Sequence, residues 1–308
     1  TINNGTLFIN DAIKNGSKII VSELKFEGIK KGVLFINTPN ARKALSEFSY
    51  ATNNNKPNNL IAVTGTNGKS SIVDFYFQIL KLNKIKVASI GTLGVKTNNS
   101  TSESFNTTMD SIRLNKILKN LKKKKIDNVI MEASSHGLKQ NRLDGLKFKT
   151  GIFTNLSQDH LDYHGSMDAY FDAKSILVNE RLKQSGAAVL NLDDPTIAGL
   201  NVEGAWGFSV KGHPQARIVA EQIEMGRDDT RVQVSIDGHS LNIHSRMVGG
   251  FNVENILAAA GVGAALGLSH DVICRGIESV NAVPGRLERV NEAGEPLVVV
   301  DYAHTPDA

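Results

Sequence analysis

Residues 61–71 read Ile-Ala-Val-Thr-Gly-Thr-Asn-Gly-Lys-Ser-Ser, which dictates a strand, a tight glycine turn and a helix in immediate succession. Leu60 to Val63 form a short apolar run, as a buried strand requires. Gly65 and Gly68 shape the turn, and Lys69 and Ser70 open a helix that carries Ile72, Phe75, Ile79 and Leu80. Glycines let backbone N–H groups approach anionic oxygens, and the helix N-terminus adds the positive end of its dipole. A lysine then supplies a mobile cation and a hydroxyl can face Mg²⁺. The general phosphate loop has a further glycine five residues before its Gly-Lys pair; here that position is Val63. A glycine turn with an incidental lysine is the bland alternative, and the downstream sequence weighs against it.

Asn128-Val-Ile-Met-Glu132 reads as a buried parallel strand ending in a carboxylate, followed by Ala133-Ser-Ser-His-Gly137. Strand C-terminal ends are where open α/β sheets place their ligands, and a carboxylate there can hold the metal that bridges nucleotide phosphates. A second strand, from Gly151, ends in a loop holding Asp159, His160, Asp162 and His164, and Lys174 follows on a helix. One histidine or lysine alone would read as solvated surface. A phosphate loop, a strand-end Glu and a His-rich loop at successive strand ends of one sheet point to a shared site.

The remaining pattern is strand alternating with helix. Strands are expected near 60–64, 86–90, 127–132, 149–154 and 186–191, giving an α/β fold with a doubly wound, mostly parallel sheet of the P-loop mononucleotide-binding kind. Before it, residues 1–57 alternate short strands (Lys18 to Val21, Val33 to Ile36) with helices (Asp11 to Asn15, Ala41 to Ala51). The Asn-rich Thr52 to Asn59 reads as a linker. From Ala216 to His244 apolar and polar residues alternate around Asp237-Gly238, a hairpin signature that implies a small antiparallel accessory sheet. Helices over Val253 to Leu266 and Ser269 to Val280 follow, and a last strand, Leu297 to Val300, ends at Asp301.

Composition narrows the function classes. The lone cysteine, Cys274, excludes an internal disulfide framework and suits a reducing cytoplasm. No apolar run is long enough to span a bilayer, and the start of the sequence has no signal-peptide pattern. Net charge is a modest +4. The Lys122 to Lys125 run follows an apolar-periodic segment and reads as a solvated helix C-terminus rather than a nucleic-acid patch. Lysine occurs 23 times through Lys183 and once after it, at Lys211, a break inside the expected nucleotide-binding region that a fold boundary does not explain.

Four strings, Thr64 to Ser71, Met131 to Leu138, Phe153 to Gly165 and Val300 to Asp307, together resemble the Mur ligase family, which shares its phosphate loop with folylpolyglutamate synthases. The resemblance covers essentially the whole chain. Asp159-His-Leu-Asp-Tyr-His-Gly165 and Asp301-Tyr-Ala-His-Thr-Pro306 are the strings that set it apart from sibling ligases. It implies that residues 1–57 are part of an N-terminal domain for the UDP-linked substrate, that 58–301 are the central ATPase domain, and that 302–308 begin a linker to a C-terminal ligase domain outside this sequence. The implied activity is ATP-dependent addition of a third amino acid, meso-diaminopimelate in preference to lysine, to UDP-N-acetylmuramoyl-L-alanyl-D-glutamate through an acyl phosphate. The implied setting is peptidoglycan synthesis by a cytoplasmic monomer needing ATP and Mg²⁺, with no nucleic-acid or membrane partner. Residues 1–308 by themselves would bind nucleotide with little turnover.

The resemblance also assigns residues. Gly65, Thr66, Asn67, Gly68, Lys69, Ser70 and Ser71 would hold the ATP phosphates, with Asn252, Arg286, Asp301 and His304 as further nucleotide contacts. Ser70, Glu132, His160 and Lys174 would face Mg²⁺, Lys174 as a carbamate, and Lys69, Glu132, His160 and Lys174 form the catalytic set. Asn106, Thr107, Thr108, Ser134, Gln140 and Arg142 would contact the dipeptide substrate. Met109 stands where the family's Thr-Thr-Pro string has proline, which loosens the expected loop. On spacing alone, an ordinary Ser/Thr-rich loop is the better reading of Thr107 and Thr108; Asn252 reads equally as a helix cap, and the bland reading of Lys174 is a solvated helix residue. A sibling ligase, a nucleotide binder without turnover and an unrelated P-loop phosphotransferase remain as alternatives.

Overall fold

The computed structural model describes residues 5–52, 55–103, 106–290, 296 and 298–303. A small unit comes first. A 3₁₀ turn (Gly5–Phe8), α1 (Ile9–Lys14), β1 (Ile19–Ser22), β2 (Gly28–Lys30) and β3 (Val33–Asn37) form a three-stranded sheet in the order β1-β3-β2. Its core is Ile20, Val33 and Phe35 with the apolar side of α1. Helix α2 (Ala41–Ala51), capped by the Asn40 side chain, joins this unit to the main body. Tyr50 is fully buried, its hydroxyl donating to the Arg142 carbonyl at 2.9 Å, and Ser46 Oγ donates to the Asp144 carbonyl at 2.9 Å.

The main body contains β4 (Asn59–Thr64), α3 (Lys69–Leu82), β5 (Val87–Gly91), β6 (Gly94–Thr97), β7 (Ser100–Ser102), α4 (Ser111–Lys123), β8 (Asn128–Glu132), α5 (Ser135–Lys139) and β9 (Phe148–Phe153). It continues through α6 (Leu161–His164), α7 (Met167–Glu180), β10 (Leu182–Asn191), α8 (Pro195–Ala198), β11 (Trp206–Ser209), β12 (Ile218–Met225), β13 (Thr230–Ile236) and β14 (His239–Ser245). Helices α9 (Gly250–Ala265) and α10 (His270–Glu278) and a short β15 (Glu288–Arg289)–β16 (Val299–Val300) pair complete it. Among the described residues, β4 to β14 make one eleven-stranded sheet, ordered β14-β13-β12-β11-β10-β9-β4-β8-β5-β6-β7.

The seven strands from β12 to β5 in that order are parallel, and antiparallel pairs extend both edges. Alternation explains the two layers. Ile61, Val63 and Ile130 face α3, α9 and α10, whereas Leu60, Ala62, Val129 and Met131 face α4 and α7. The expected hairpin forms at Asp237-Gly238, both at positive φ (49° and 81°), as a two-residue turn between right-twisted strands demands. Its strands join the main sheet through β12, which pairs with β11, a strand the sequence pattern did not mark, so the expected accessory sheet is an extension of the main one. The lysine break falls in β10, whose neighbours are β9 on one side and β11 on the other, so both compositions fold into one sheet. No helix among the described residues is long and apolar enough to cross a membrane.

Helix α9 is so rich in Ala and Gly because it is buried nearly all round. Close packing continues between α3 and α10, where a Cβ on Gly276 would sit 2.6 Å from Ile79 Cγ2, and Ile79 is itself 1% exposed. Gly276→Ala is therefore expected to destabilise the fold by about 1–3 kcal/mol through overpacking, which urea unfolding can measure.

Candidate functional site

β4 lies between β8 and β9, and the chain leaves it for β5 on one side before later strands fill the other. This is the switch point at which an open α/β sheet forms a crevice at its strand C-termini. The Gly65–Ser70 turn leaves β4 there. Glu132 ends β8, Thr154 and Asn155 follow β9, Gly91 ends β5 and Thr92 follows it.

The turn is held by the strand beside it. Asn67 N–H donates to Asn155 Oδ1 at 2.8 Å and Thr66 N–H to the Asn155 carbonyl at 2.9 Å. Thr154 Oγ1 donates to the Asn67 carbonyl at 2.6 Å. Gly65 has φ +144° and a Cβ there would lie 1.8 Å from Thr154 Oγ1; Gly68 has φ +84° and a Cβ there would lie 2.6 Å from Asn255 Oδ1. Both glycines are thus compelled by conformation and by space. Val63 pairs with Glu132 and Ile152 and is fully buried, so the missing loop glycine is a central strand residue.

Two lysines converge on one oxygen. The Gly65 carbonyl accepts from Lys69 Nζ at 2.9 Å and from Lys174 Nζ at 2.6 Å, and Lys69 Nζ also reaches the Thr66 carbonyl at 2.6 Å. Lys174 is 1% exposed, which removes the reading of it as a solvated helix residue. Burial first, and the Lys69 charge second, push its pKa well below the usual lysine range. Its ammonium stands 4.4 Å from the centre of the Tyr170 ring, whose hydroxyl lies 3.3 Å from Thr66 Oγ1.

Glu132 is the acidic counterpart, 2% exposed. It accepts from Ser70 Oγ at 3.1 Å, from Thr92 N–H at 2.8 Å and from Thr92 Oγ1 at 3.3 Å. Burial raises its pKa against the opposing pulls of Lys69, the Thr92 amide, Ser70 and Arg286. Arg286 donates to Ser70 Oγ at 3.2 Å, and its guanidinium lies 5.0 Å from the centre of the Tyr302 ring. The Ser70 and Glu132 oxygens suit a hard cation that keeps several of its own waters. Among the described residues no group of three or more His, Cys, Asp and Glu side chains forms a metal cluster.

His160 opens α6 at φ +51°. Its backbone N–H donates to Asp159 Oδ1 at 2.8 Å and its Nε2 lies 3.3 Å from Asp159 Oδ2. Its ring meets His136 edge to face at 4.7 Å, and His136 stacks on Tyr163 at 4.1 Å. The neighbouring His164 is pushed down to about 4, chiefly by burial and then by His136 and Lys174.

One polar cavity of about 310 Å³ gathers Lys69, Ser70, Glu132, His160, Lys174 and Arg286. A second cavity of about 300 Å³ shares Asn67, Gly68, Ser71, Arg286 and Tyr302 with it and continues between Ile72, Phe208 and Phe251. A charged chamber joined to an apolar slot suits a phosphorylated ligand with a flat apolar end.

Several expected contacts sit one layer back. Thr107 and Ser134 line the polar cavity, whereas Thr108, Gln140 and Arg142 do not. The Thr108 hydroxyl is used internally: it donates to the Glu132 carbonyl at 3.0 Å and receives Ser134 N–H at 2.9 Å. Arg142 donates to the Thr108 carbonyl and to Gln140 Oε1, and Gln140 Nε2 donates to Tyr163 OH at 3.2 Å. Asn106 is exposed on the same loop, and Met109 is 3% exposed in the core, so burial anchors this loop without proline. Asn252 is buried behind Asn255: it donates to the Val248 carbonyl at 2.8 Å and accepts from Asn255 Nδ2 at 3.1 Å. It does not cap α9, whose N-cap is Gly249. Asp301 lines the apolar slot and accepts from Leu287 N–H at 2.6 Å. His304 lies outside the described residues.

Site residues missed in the sequence include Thr92, Thr154, Asn155, Tyr170 and Asn255. Tyr170 was findable, since it precedes Lys174 by one helical turn; Asn255 follows Asn252 by three residues, on the same face of α9. Nothing in the sequence marks Thr92.

The profile of the Mur ligase middle domain matches residues 63–263. The UDP-N-acetylmuramoyl-L-alanyl-D-glutamate–2,6-diaminopimelate ligase of Geobacter metallireducens is 37% identical over 292 residues, 91% of this chain and 56% of that protein. The same ligase of Bacillus velezensis is 36% identical, covering 98% of this chain and 62% of that protein. The chain therefore spans about three fifths of the length of these relatives. A solved structure of a ligase of that name superposes with a TM-score of 0.82 at 29% identity, over 98% of this chain and 62% of the other. Thermotoga maritima MurF ligase in complex with ADP superposes with a TM-score of 0.67 at 19% identity, over 98% of this chain and 66% of the other, a likeness of fold.

Lys174 generates a stability prediction. Its folded pKa is lowered, so between that value and the ordinary lysine value the unfolded chain binds more protons, and stability rises with pH across that window. Lys174→Met removes this term. The variant is expected to melt above wild type near pH 7, with the gap closing as pH approaches the ordinary lysine pKa; scanning calorimetry across pH checks it.

Proposed function

This chain belongs to the Mur ligase family, and from that premise we propose that its protein is UDP-N-acetylmuramoyl-tripeptide synthetase. That ligase couples ATP cleavage to addition of meso-diaminopimelate to UDP-N-acetylmuramoyl-L-alanyl-D-glutamate. The observation that carries the reading is Lys174, buried in the same cavity as the phosphate loop and as the Ser70–Glu132 pair. The relatives' names support diaminopimelate as the third residue. The substrates are small and nucleotide-linked, and the setting is a cytoplasmic monomer working without nucleic acid or membrane. Residues 1–57 serve the UDP-linked substrate, 58–301 form the ATPase, and 302–308 lead toward the region that binds the amino acid.

The chemical difficulty is the approach of one anion to another. The D-glutamyl carboxylate attacks the γ-phosphorus of ATP, ADP leaves, and the amine of the third amino acid displaces phosphate from the acyl phosphate. Lys69 gives up its loop carbonyls to take the β- and γ-phosphates, while the first turn of α3 offers its N–H groups. Arg286 lines the same cavity and is already hydrogen-bonded to Ser70. Ser70 and Glu132 would hold Mg²⁺, which supplies charge neutralisation along the phosphates. Lys174, poised as a neutral amine by burial, adds to CO₂; its nitrogen forms the new N–C bond and loses a proton, giving a carbamate. That change replaces a buried neutral amine by an anionic oxygen group, and His160 borders the same cavity. Thr107 and Ser134 face the dipeptide, held by Thr108, Gln140 and Arg142.

Two measurements test this. Lys69→Ala is expected to weaken Mg-ATP binding in calorimetry by roughly tenfold or more, the loss of charge-assisted hydrogen bonds; unchanged affinity would exclude the phosphate-cradle assignment. In the full-length protein, Lys174→Ala should lose nearly all tripeptide synthesis while keeping ATP binding. Wild-type activity should fall when bicarbonate is stripped at mildly acidic pH and return when it is restored, and near-normal turnover by the variant would remove Lys174 from the chemistry.

A further inference from the structure

The apolar slot contains a carboxylate that the protein leaves almost unused. Glu254 sits on α9, three residues after Phe251, so the two share a helix face at the slot wall. The neighbouring carboxylates are committed. Asp193 accepts from Ser209 Oγ, from Val210 N–H and from Lys211 N–H at 2.5, 2.6 and 3.2 Å. Asp194 caps α8 and receives Leu156 N–H at 2.7 Å. Asp301, on the same slot, receives Leu287 N–H at 2.6 Å. The one hydrogen bond recorded for Glu254 among the described residues is a long one, 3.5 Å from Asn191 Nδ2. Burial and then the Asp193 charge hold its pKa above the usual glutamate value. A half-buried acceptor with so little to accept is costly unless a ligand brings a donor.

We propose that Glu254 reads the nucleobase: its carboxylate accepts from the 6-amino group of adenine and so selects a 6-amino purine over a 6-oxo purine. The inference rests on ATP being the nucleotide of this site. The 6-amino group is the only N–H donor on the base of ATP, and Ile72, Phe208 and Phe251 are among the apolar surfaces that this slot offers a flat ring. The phosphate-binding groups, Lys69 and Ser70, line the other chamber, so Glu254 lies toward the base end. A 6-oxo purine would turn its own acceptor toward the carboxylate, losing the hydrogen bond and setting two electron-rich oxygens against each other. A site built to hydrogen-bond one functional group discriminates strongly against an analogue that lacks it.

Calorimetric binding of ADP, inosine diphosphate and 2′-deoxy-ADP to wild type and to Glu254→Gln tests this, with circular dichroism confirming the fold of the variant. Wild type should prefer ADP to inosine diphosphate, and Glu254→Gln, whose amide can donate to a 6-oxo group, should shrink that ratio roughly tenfold. The ratio of ADP to 2′-deoxy-ADP should not move. An unchanged purine ratio, or a shift confined to the 2′-deoxy ratio, would overturn the assignment, the latter by placing Glu254 against the sugar. If wild type binds none of the three nucleotides, the ATP reading itself fails and this one with it. If wild type binds ADP but the variant leaves its purine preference intact, only the role of Glu254 fails.

Discussion

The Gly65 carbonyl is the constraint on which the rest of the site depends. It takes hydrogen bonds from the Nζ atoms of two lysines, the half-buried Lys69 on the helix that follows the loop and the buried Lys174 on a helix more than a hundred residues later in the chain. Like charges so close repel, and burial adds a desolvation penalty. The arrangement persists because Glu132 and Asp159 supply negative charge nearby and because the carbonyl cannot turn away. Thr154 blocks the space a side chain on Gly65 would need, and Asn155 fixes the next two backbone N–H groups. The two lysines are not equivalent. Lys69 is half-buried and has a second carbonyl to lean on; Lys174 is sealed in, and burial pushes its pKa well below the usual lysine range.

Glu132 plays the same part for the opposite charge. Its carboxylate ties the loop helix, through Ser70, to the end of β5, through Thr92, and its backbone carbonyl anchors the Thr108 hydroxyl. The Thr107–Ser134 face is thus built from the backbone and side chain of one strand-end residue. Gly91 completes the fit, since a Cβ there would lie 2.2 Å from Glu132 Oε1. On the far side, α2 couples the small first sheet to the Arg142 region through Tyr50.

What could be read in advance follows from how local the determinants are. The phosphate loop, the strand-end Glu and the buried run of β8 are written in consecutive residues, as is the Asp237-Gly238 turn. The strands that escaped notice are β2, β6, β7, β11 and the two-residue β15. Three of them have three or four residues with polar or exposed faces, and β11, Trp206–Ser209, is too short for a period to show. In the site, Thr92 and Asn155 matter because the sheet order puts β5 and β9 on either side of β4 and β8, a fact of topology with no trace in their own neighbourhoods. Asn252 and Thr108 lie in strings that look like contacts and turn out to be supports, because neither string records how deep each residue sits. The burial of Lys174 is likewise a property of the helix's packing on the loop: α7 has little apolar contrast between its faces.

The lysine break has a practical side. Main-chain hydrogen bonds between β9 and β10 are indifferent to side-chain type, so a lysine-rich half and an arginine-rich half share one continuous sheet. Primary amines are consequently crowded onto one end of the molecule, and beyond Lys183 only Lys211 offers one. Reagents that acylate amines would decorate the first sheet and the β5–β9 side while nearly sparing the β12–β14 edge. A sensor surface coupled through amines would hold the molecule by that end and leave the hairpin edge facing the solution.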